Sequence, residues 1–212
     1  MTTDIISILK RVGGIITDSH FVYTSGKHGS VYINKDTLYR HTKLASSVGK
    51  MFASKHRDLP VDVVAGPAMG GVLLSQWTAY HLSQIQDKEV LGAFAEKTPD
   101  GNQEFTRGYD KLLRDKNVLI VEDLTTTGGS VMKVIKSAQA VGANVVAVVV
   151  MVNRNPEKVN SQLFDLPFSS LGVLKAEAFD AAKCPLCKQG MPINTTVGHG
   201  KKYLEAKGKT PH

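Results

Sequence analysis

The chain has 212 residues, a formal net charge of +7 and a sequence pI of about 9.3. Its hydrophobic content of 42% is enough to fill the core of one α/β domain with a small appendage. No apolar run reaches membrane-spanning length, and the start at Met1 lacks the pattern of a secretory signal. Two cysteines are too few for a disulfide scaffold, so the composition excludes that class and predicts a cytoplasmic protein.

The positive charge makes nucleic-acid binding a function class to consider. Part of the excess is concentrated near the C-terminus, at Lys183, Lys188, Lys201, Lys202, Lys207 and Lys209. Aromatic residues do not interleave with these lysines, and no nucleic-acid-binding motif is present. A polyanionic small substrate and a solvated tail account for the charge, so nucleic acid is not expected as the main partner.

The N-terminal third combines helices with short strands. Apolar residues at helical spacing predict a helix over 4–12, with Thr3 or Asp4 as its N-cap. Residues 20–39 alternate and turn, which predicts a hairpin or two short strands. A second amphipathic helix is predicted over 42–55.

The rest of the chain alternates strands and helices. Strands are predicted at 61–65, 89–96, 117–122 and 144–152, with another within 168–179, and helices at 72–83 and 130–141. Residues 98–108 are polar and contain glycine, which predicts a long mobile loop. This alternation predicts the α/β class, with a twisted, mostly parallel sheet flanked by helices.

The most informative run lies at 118–130. Four apolar residues are followed by Glu122 and Asp123, whose carboxylates suit hydroxyls or a hydrated Mg²⁺. Residues 125–130 then offer hydroxyls and closely approachable backbone N–H groups before a helix, which suits a phosphate. The pattern predicts a sugar-phosphate site, and a plain capped strand-turn-helix is the alternative. Walker A and dinucleotide-binding glycine patterns are absent.

Two further segments favour anion binding. The glycine-containing run 66–71 lies between a strand and a helix, where backbone N–H groups can approach an anion. Taken alone, an ordinary turn is the simpler interpretation. Arg154 follows the fourth strand of the core, and a guanidinium binds a planar carboxylate or imide edge through two hydrogen bonds. A solvated arginine is the alternative there.

The run 118–130 resembles the phosphoribosyl pyrophosphate (PRPP) signature of type I phosphoribosyltransferases. Residues 25–34 resemble an N-terminal motif of the orotate phosphoribosyltransferases, which contributes to a hood over the base. Residues 94–97 and 105–109 are similar to one branch of that family, as is the Cys-Pro-Leu-Cys segment at 184–187. The resemblance implies a type I phosphoribosyltransferase fold in one domain over residues 1–212. Its small hood would comprise about residues 1–40 and C-terminal segments, and its core about residues 60–160.

The resemblance also implies an activity. PRPP and orotate would give orotidine 5′-monophosphate and pyrophosphate in pyrimidine synthesis. Mg²⁺ is the implied cofactor, bound mainly through PRPP rather than at a protein metal site, and the implied assembly is a homodimer with shared active sites. The implied catalytic residues are Lys97, Glu122 and Asp123. The implied PRPP-binding residues are Lys97, Glu122, Asp123, Leu124, Thr125, Thr126, Thr127, Gly128, Gly129 and Ser130. The implied pyrophosphate loop comprises Gly66, Pro67, Ala68, Met69 and Gly70, and Thr126 and Arg154 would bind orotate.

The chain departs from the family pattern at two places. Asn153 precedes Arg154 where the orotate enzymes have an aspartate, which leaves the role of that acid open. Residues 98–105 contain no Lys, Arg or His, and Arg107 is the candidate for the loop lysine of the other branch. A phosphoribosyltransferase for another base, such as a purine, therefore remains an alternative. A non-catalytic regulator that binds nucleic acid is a second one.

The pair Cys184 and Cys187 has the spacing of metal ligands. Zinc requires four ligands, however, and the chain has no second cysteine pair. His199 is near in sequence but leaves the set short. The segment is therefore predicted to be a structural element of the tail.

Overall fold

The structure, a computed structural model, describes residues 4–208. By contacts within the chain it divides into two compact units. The first comprises the chain up to Ile8 together with Tyr39–Leu174, and the second comprises Leu9–Leu38 and the chain from Lys175 onward. Among the residues described, no helix is both long and apolar enough to cross a membrane.

The elements follow one another along residues 4–208 as short N-terminal pieces, an alternating core and short C-terminal helices. The strands are β1 (Ile15–Ile16), β2 (Phe21–Val22), β3 (His28–Gly29), β4 (Tyr32–Ile33), β5 (Val63–Pro67), β6 (Leu91–Lys97), β7 (Gln103–Glu104), β8 (Asn117–Thr125), β9 (Asn144–Asn153) and β10 (Phe168–Val173). The α-helices are α1 (Ile5–Arg11), α2 (Asp36–Tyr39), α3 (Thr42–Lys55), α4 (Gly70–Gln86), α5 (Tyr109–Leu113), α6 (Gly129–Ala140), α7 (Ser161–Phe164), α8 (Pro185–Lys188) and α9 (Gly200–Ala206).

The first unit is built on a six-stranded sheet with the order β10-β9-β8-β5-β6-β7. Its strands are parallel except β7, which runs antiparallel to β6. The prediction of an α/β fold with a mostly parallel sheet is therefore confirmed. The helix predicted over 42–55 is α3, and the helix predicted over 130–141 is α6 with its start and end shifted by one residue.

Helices cover both faces of this sheet, which explains why its central strands are continuous apolar runs. Successive side chains of a strand point to opposite faces. On one face, Ala65 of β5 and Ile120 of β8 belong to a buried cluster with Val134 of α6. On the other face, Gly66 of β5 lies so close to α4 that an added Cβ would come within 2.8 Å of the Gly71 Cα.

Three boundaries differ from the prediction. The strand β5 continues to Pro67 and α4 begins at Gly70, so the predicted loop 66–71 is reduced to two residues between strand and helix. The strand β8 continues to Thr125, because Thr125 still pairs with Asn153 of β9. The predicted loop 98–108 contains β7, which pairs with the end of β6 to form a hairpin.

The second unit contains two small antiparallel sheets, β1 with β4 and β2 with β3. The strands β2, β3 and β4 confirm the short strands predicted within 20–39, whereas β1 was not predicted and residues Asp36–Tyr39 form the helix α2. The N-terminal and C-terminal segments of this unit are joined by bridges from His20 to Ile193 and from His28 to Phe179.

Helix α1 is capped by Asp4, whose carboxylate accepts the backbone N–H of Ile6 at 2.9 Å. The other predicted cap, Thr3, lies outside the described residues.

Candidate active site

The order of the strands places a crevice between β5 and β8. From β5 the chain moves to β6 on one side, whereas β8, β9 and β10 are added on the other side. In open α/β sheets such a reversal is where ligands bind, outside the carboxyl ends of the strands. Since these strands are parallel, the segments that follow them meet at this edge. The two predicted anion loops are the ones that follow β5 and β8.

The carboxylates of Glu122 and Asp123 are buried near the end of β8, with 7% and 3% of each residue exposed. Glu122 accepts the backbone N–H of Asp123 at 2.8 Å. Asp123 accepts the backbone N–H of Leu124 at 2.7 Å and the hydroxyl of Tyr39 at 3.2 Å. These hydrogen bonds fix the orientation of Asp123, so that its position is set before any ligand binds.

Tyr39 is a residue of this site that the sequence did not reveal. It ends α2, and its hydroxyl also lies 3.5 Å from the carbonyl oxygen of Gly70. It therefore contacts both the carboxylate side of the crevice and the start of α4. The contact with Asp123 spans 84 positions, and no local pattern predicts such a pairing.

The segment after Thr125 turns into helix α6 and presents its polar groups to the surface. The Thr125 hydroxyl accepts the backbone N–H of Gly128 at 3.2 Å, while Thr126, Thr127 and Ser130 are exposed. Gly128 has φ +76°, and an added Cβ would lie 2.6 Å from Leu163 Cδ2. The first-turn N–H groups of a helix have no partner within it and carry partial positive charge. The segment is therefore suited to an anion such as a phosphate.

The end of β5 approaches β8 closely at Gly66. An added Cβ at Gly66 would come within 2.5 Å of the Val121 carbonyl oxygen, so only glycine allows this approach. Pro67 is buried, Ala68 is half-buried and Met69 is 81% exposed. The structure thus brings the residues predicted as a pyrophosphate loop to the same sheet edge as the carboxylates.

Arg154 lies immediately after β9 and next to β8. Its backbone N–H donates to the Thr125 carbonyl oxygen at 2.8 Å, which places it beside the loop that begins at Thr126. Its side chain is half-buried. The sheet therefore places Arg154 next to Thr125, which directly precedes Thr126, the other residue predicted to hold the base.

Asn153 is a structural residue of the loop that carries Arg154. It is 2% exposed, its amide nitrogen donates to the Val159 carbonyl oxygen at 2.9 Å, and its amide oxygen accepts the Asn155 N–H at 3.0 Å. An ionised aspartate could accept the second hydrogen bond but could not donate the first. The asparagine at this position is thus explained by the fold of residues 153–159.

Arg107 is bound to a carboxylate at the base of the β6–β7 hairpin. Its guanidinium donates to Glu96 through two hydrogen bonds of 2.9 and 3.2 Å, and the Thr106 hydroxyl donates to the same group. These contacts, that of Arg107 first, hold the pKa of Glu96 below its usual value. Arg107 therefore joins the segment after β7 to Glu96 of β6 and stabilises the hairpin. Lys97, at the end of β6, has an exposed side chain.

The tip of this hairpin contacts helix α6. The ammonium group of Lys133 donates to the carbonyl oxygen of Gly101, 32 positions away in sequence. The hairpin is therefore joined to the helix whose N-terminus forms the proposed anion site. Buried carboxylates, a helix start and an adjoining hairpin form an arrangement suited to a phosphorylated sugar.

Comparison with known proteins agrees with this geometry. A family model described as phosphoribosyl transferase domain matches residues 34–165, more than half of the chain. An orotate phosphoribosyltransferase of Thermotoga maritima is 37% identical over 195 residues, covering 92% of this chain and 98% of that protein. The orotate phosphoribosyltransferase of a Thermoanaerobacter species is 36% identical over 190 residues, covering 90% and 94%. This chain belongs to the orotate phosphoribosyltransferase family.

The fold of this orotate phosphoribosyltransferase family member is shared with solved structures. The orotate phosphoribosyltransferase of Mycobacterium tuberculosis, solved in complex with PRPP, superimposes with a TM-score of 0.61. It has 19% sequence identity, and the match covers 80% of this chain and 94% of that one. The type I phosphoribosyltransferase fold expected from the sequence is therefore confirmed.

The Cys184 and Cys187 pair lies in the second unit. From the sequence we expected these two cysteines to lack two further metal ligands. That expectation is wrong, because within residues 4–208 His20 and His28 lie beside the two thiols. His199, the histidine nearest in sequence, instead contacts the hydroxyl of Thr24 at 3.0 Å. The spacing along the chain missed this group because the histidines and cysteines are more than 150 positions apart and meet only in the folded unit.

Proposed function

We propose that this protein transfers the 5-phosphoribosyl group of PRPP to orotate, which gives orotidine 5′-monophosphate and pyrophosphate. The observation that carries the proposal is the sheet edge between β5 and β8. There, β8 carries two buried carboxylates near its end and leads into an exposed Thr-Gly loop and a helix N-terminus. The neighbouring strand β5 ends in a two-residue turn flanked by Gly66 and by the glycines that begin α4. Membership of the orotate phosphoribosyltransferase family supports the same reaction.

Each segment has a proposed role that matches its chemistry. The 5′-phosphate binds the N–H groups and hydroxyls of the loop from Thr125 to Ser130, because a helix start attracts anions. The ribose hydroxyls bind the carboxylates of Glu122 and Asp123. Leu124, half-buried between them and the loop, positions both groups. The diphosphate binds the turn from Gly66 to Gly70 and Lys97.

The chemistry requires positioning and charge stabilisation rather than a covalent nucleophile. As the bond to pyrophosphate breaks, positive charge develops at the anomeric carbon. The carboxylates of Glu122 and Asp123 favour that charge, and a fixed carboxylate needs no reorganisation to do so. The orotate ring nitrogen then attacks from the opposite face and loses its N–H proton, which the departing pyrophosphate can accept. The hairpin 98–108 would exclude water, which otherwise hydrolyses PRPP.

We propose that the base is selected by Arg154 with Thr126. A guanidinium forms two parallel hydrogen bonds with a carboxylate, and orotate carries a carboxylate that uracil, adenine and guanine lack. The position of Arg154 beside Thr125 supports this role, as does the hydrogen-bonded loop from Asn153 to Val159 that supports it.

The proposed cofactor is Mg²⁺, held mainly by PRPP oxygens. Magnesium in proteins is usually bound through one or two carboxylates together with substrate phosphates. The buried oxygen donors Glu122 and Asp123 fit that chemistry, since they lie at the edge where the phosphates are proposed to bind. When bound, Mg²⁺ neutralises negative charge on the diphosphate leaving group.

We further propose a homodimer in which Lys97 acts across the interface. The exposed side of helix α4 and the residue before it carry apolar groups, with Met69 81%, Leu73 42% and Tyr80 52% exposed. Such a stripe on a surface helix is suited to self-association. The proposed location is the cytoplasm, because two cysteines do not make a disulfide scaffold. Sedimentation of the purified protein tests the dimer, and a monomer at micromolar concentration would contradict it.

The reaction is tested by pyrophosphate release from PRPP and Mg²⁺. Orotate, uracil, adenine, guanine, hypoxanthine and xanthine are offered separately. We expect pyrophosphate release when orotate is offered and none when any of the other five bases is offered. Release with a purine alone would keep the PRPP site and overturn the base assignment. If no base gives pyrophosphate release, the catalytic proposal is overturned and a non-catalytic regulator is favoured. Salt-dependent binding to RNA or DNA would then identify that regulator.

A further inference from the structure

The second unit contains a compact group of four metal-binding side chains that the proposed reaction does not use. His20, His28 and Cys184 are buried, and Cys187 is at the surface end of the group. One ligand atom from each residue lies within 4.8 Å of the other three. We propose that these four residues form a structural zinc site of the Cys₂His₂ type.

The distances between the ligand atoms are close to those of a tetrahedral site. His20 Nε2 lies 3.7 Å from both sulfur atoms, and His28 Nδ1 lies 3.3 Å from the sulfur of Cys187. Zn–S bonds of about 2.3 Å and Zn–N bonds of about 2.0 Å require separations of roughly 3.3–3.8 Å. The two ring nitrogens are 2.8 Å apart, so an ion would separate them by only about 0.5 Å.

The local backbone explains how the four side chains converge. Strands β2 and β3 pair Val22 with His28, and His20 lies two residues before Val22. Because side chains alternate, His20 and His28 are diagonal neighbours on one face of the hairpin. The two cysteines are three positions apart at the start of the one-turn helix α8, which places both sulfurs on one side of it.

One contact outside the ligand set favours metal binding at His20. Its Nδ1 lies 2.9 Å from the carbonyl oxygen of Met191. A carbonyl only accepts, so Nδ1 carries the proton and the lone pair of Nε2 faces the cluster. Histidine ligands of metals are usually oriented by such a hydrogen bond from the other ring nitrogen.

His28 Nδ1 lies 2.8 Å from the lone pair of His20 Nε2, so either a proton on His28 Nδ1 or a bound cation lies between the two nitrogens. A cavity of about 400 Å³ next to His20 and Cys187 gives an ion a route to the cluster. The site is therefore accessible from the protein surface, although three of its four ligands are buried.

The donor set selects zinc among the common ions. Two thiolates and two imidazoles are softer than the oxygen donors that Mg²⁺ and Ca²⁺ require, and a tetrahedral S₂N₂ arrangement is typical of zinc. With four protein ligands there is no open position for a substrate, which indicates a structural role. The ion would join the N-terminal hairpin to the C-terminal segment of the second unit. Their sequence positions are more than 150 residues apart.

The first experiment measures the zinc content of protein purified without chelator. We expect about one zinc per chain in the natural sequence and less than about a tenth of that in His20→Ala, His28→Ala, Cys184→Ser and Cys187→Ser. His199→Ala is the matched control, since His199 is the histidine nearest in sequence to the cysteines, and it should keep full zinc. Zinc that survives in both His20→Ala and His28→Ala, or is lost in His199→Ala, would overturn the assignment.

The second experiment uses the unsubstituted chain and does not depend on variants that fold. Zinc is removed with a chelator under reducing conditions, and Co²⁺ is added. Tetrahedral thiolate ligation gives intense visible absorption and a sulfur-to-cobalt charge-transfer band, both of which added Zn²⁺ should abolish. Absence of these bands would overturn the proposal. A chain isolated without metal, with Cys184 and Cys187 oxidised to each other, would also overturn it and indicate a redox pair.

Discussion

Replacing Asn153 by aspartate changes one NH₂ group to an oxygen and tests whether this buried amide supports the loop that carries Arg154. The new carboxylate would face the carbonyl oxygen of Val159 at 2.9 Å, in a position only 2% exposed. Burial and this contact disfavour the charged form and raise the pKa of the new group. With a rise of about two units above the unfolded value of roughly 3.9, Asn153→Asp loses about 3 kcal/mol of stability at pH 8.

The pH dependence of this loss has a definite sign. A carboxyl whose folded pKa is raised costs nothing below its unfolded pKa and costs progressively more as the pH rises through the folded value. The same shift therefore gives a loss of about 1.5 kcal/mol at pH 5. The protonated carboxyl can donate to the Val159 carbonyl, as the amide does.

The assay is urea unfolding of Asn153→Asp and of the unsubstituted chain between pH 5 and pH 8. At pH 8 the midpoint should fall by about 1 M, since a chain of this size has a slope of roughly 2.5 kcal/mol per molar urea. Asn144→Asp is the matched control, because Asn144 begins the same strand, is exposed, and donates to the Asn117 side chain. Equal losses in both variants, or a loss in Asn153→Asp that does not change with pH, would refute the reasoning.

Three further predictions concern the proposed PRPP and orotate sites. Asp123→Asn should lower kcat roughly 100-fold, about 3 kcal/mol, with little change in the KM for PRPP, because its charge acts mainly on the transition state; an unchanged kcat contradicts this. Arg154→Ala should raise the KM for orotate about 10- to 100-fold and leave that for PRPP nearly unchanged, whereas equal losses for both substrates would make Arg154 structural. Gly128→Ala should weaken PRPP binding about tenfold or more in calorimetry, because it strains a left-handed residue and displaces Leu163. Gly13→Ala, left-handed but in open space, is its control, and equal effects would contradict that assignment.

Local sequence patterns predicted the core of the fold because the forces that form it are local or periodic. Continuous apolar runs indicated strands buried on both faces, and amphipathic spacing indicated helices such as α3. The boundaries were less accurate where pairing with a neighbour decides them. The strand β8 continues beyond Glu122 to Thr125 because β9 still pairs with it as far as Asn153.

The sequence by itself determined the chemistry of the sheet edge, since the carboxylates, hydroxyls and glycines of the anion loops are contiguous in the chain. Only the tertiary structure decided which distant side chains contact one another at this edge and around it. Tyr39 meets Asp123, Arg107 is bound by Glu96, and a buried asparagine supports the loop after β9. The four-residue group around Cys184 has the same origin, because its histidines come from a hairpin near the other end of the chain. Contacts of this kind depend on chain crossings that residue spacing does not encode.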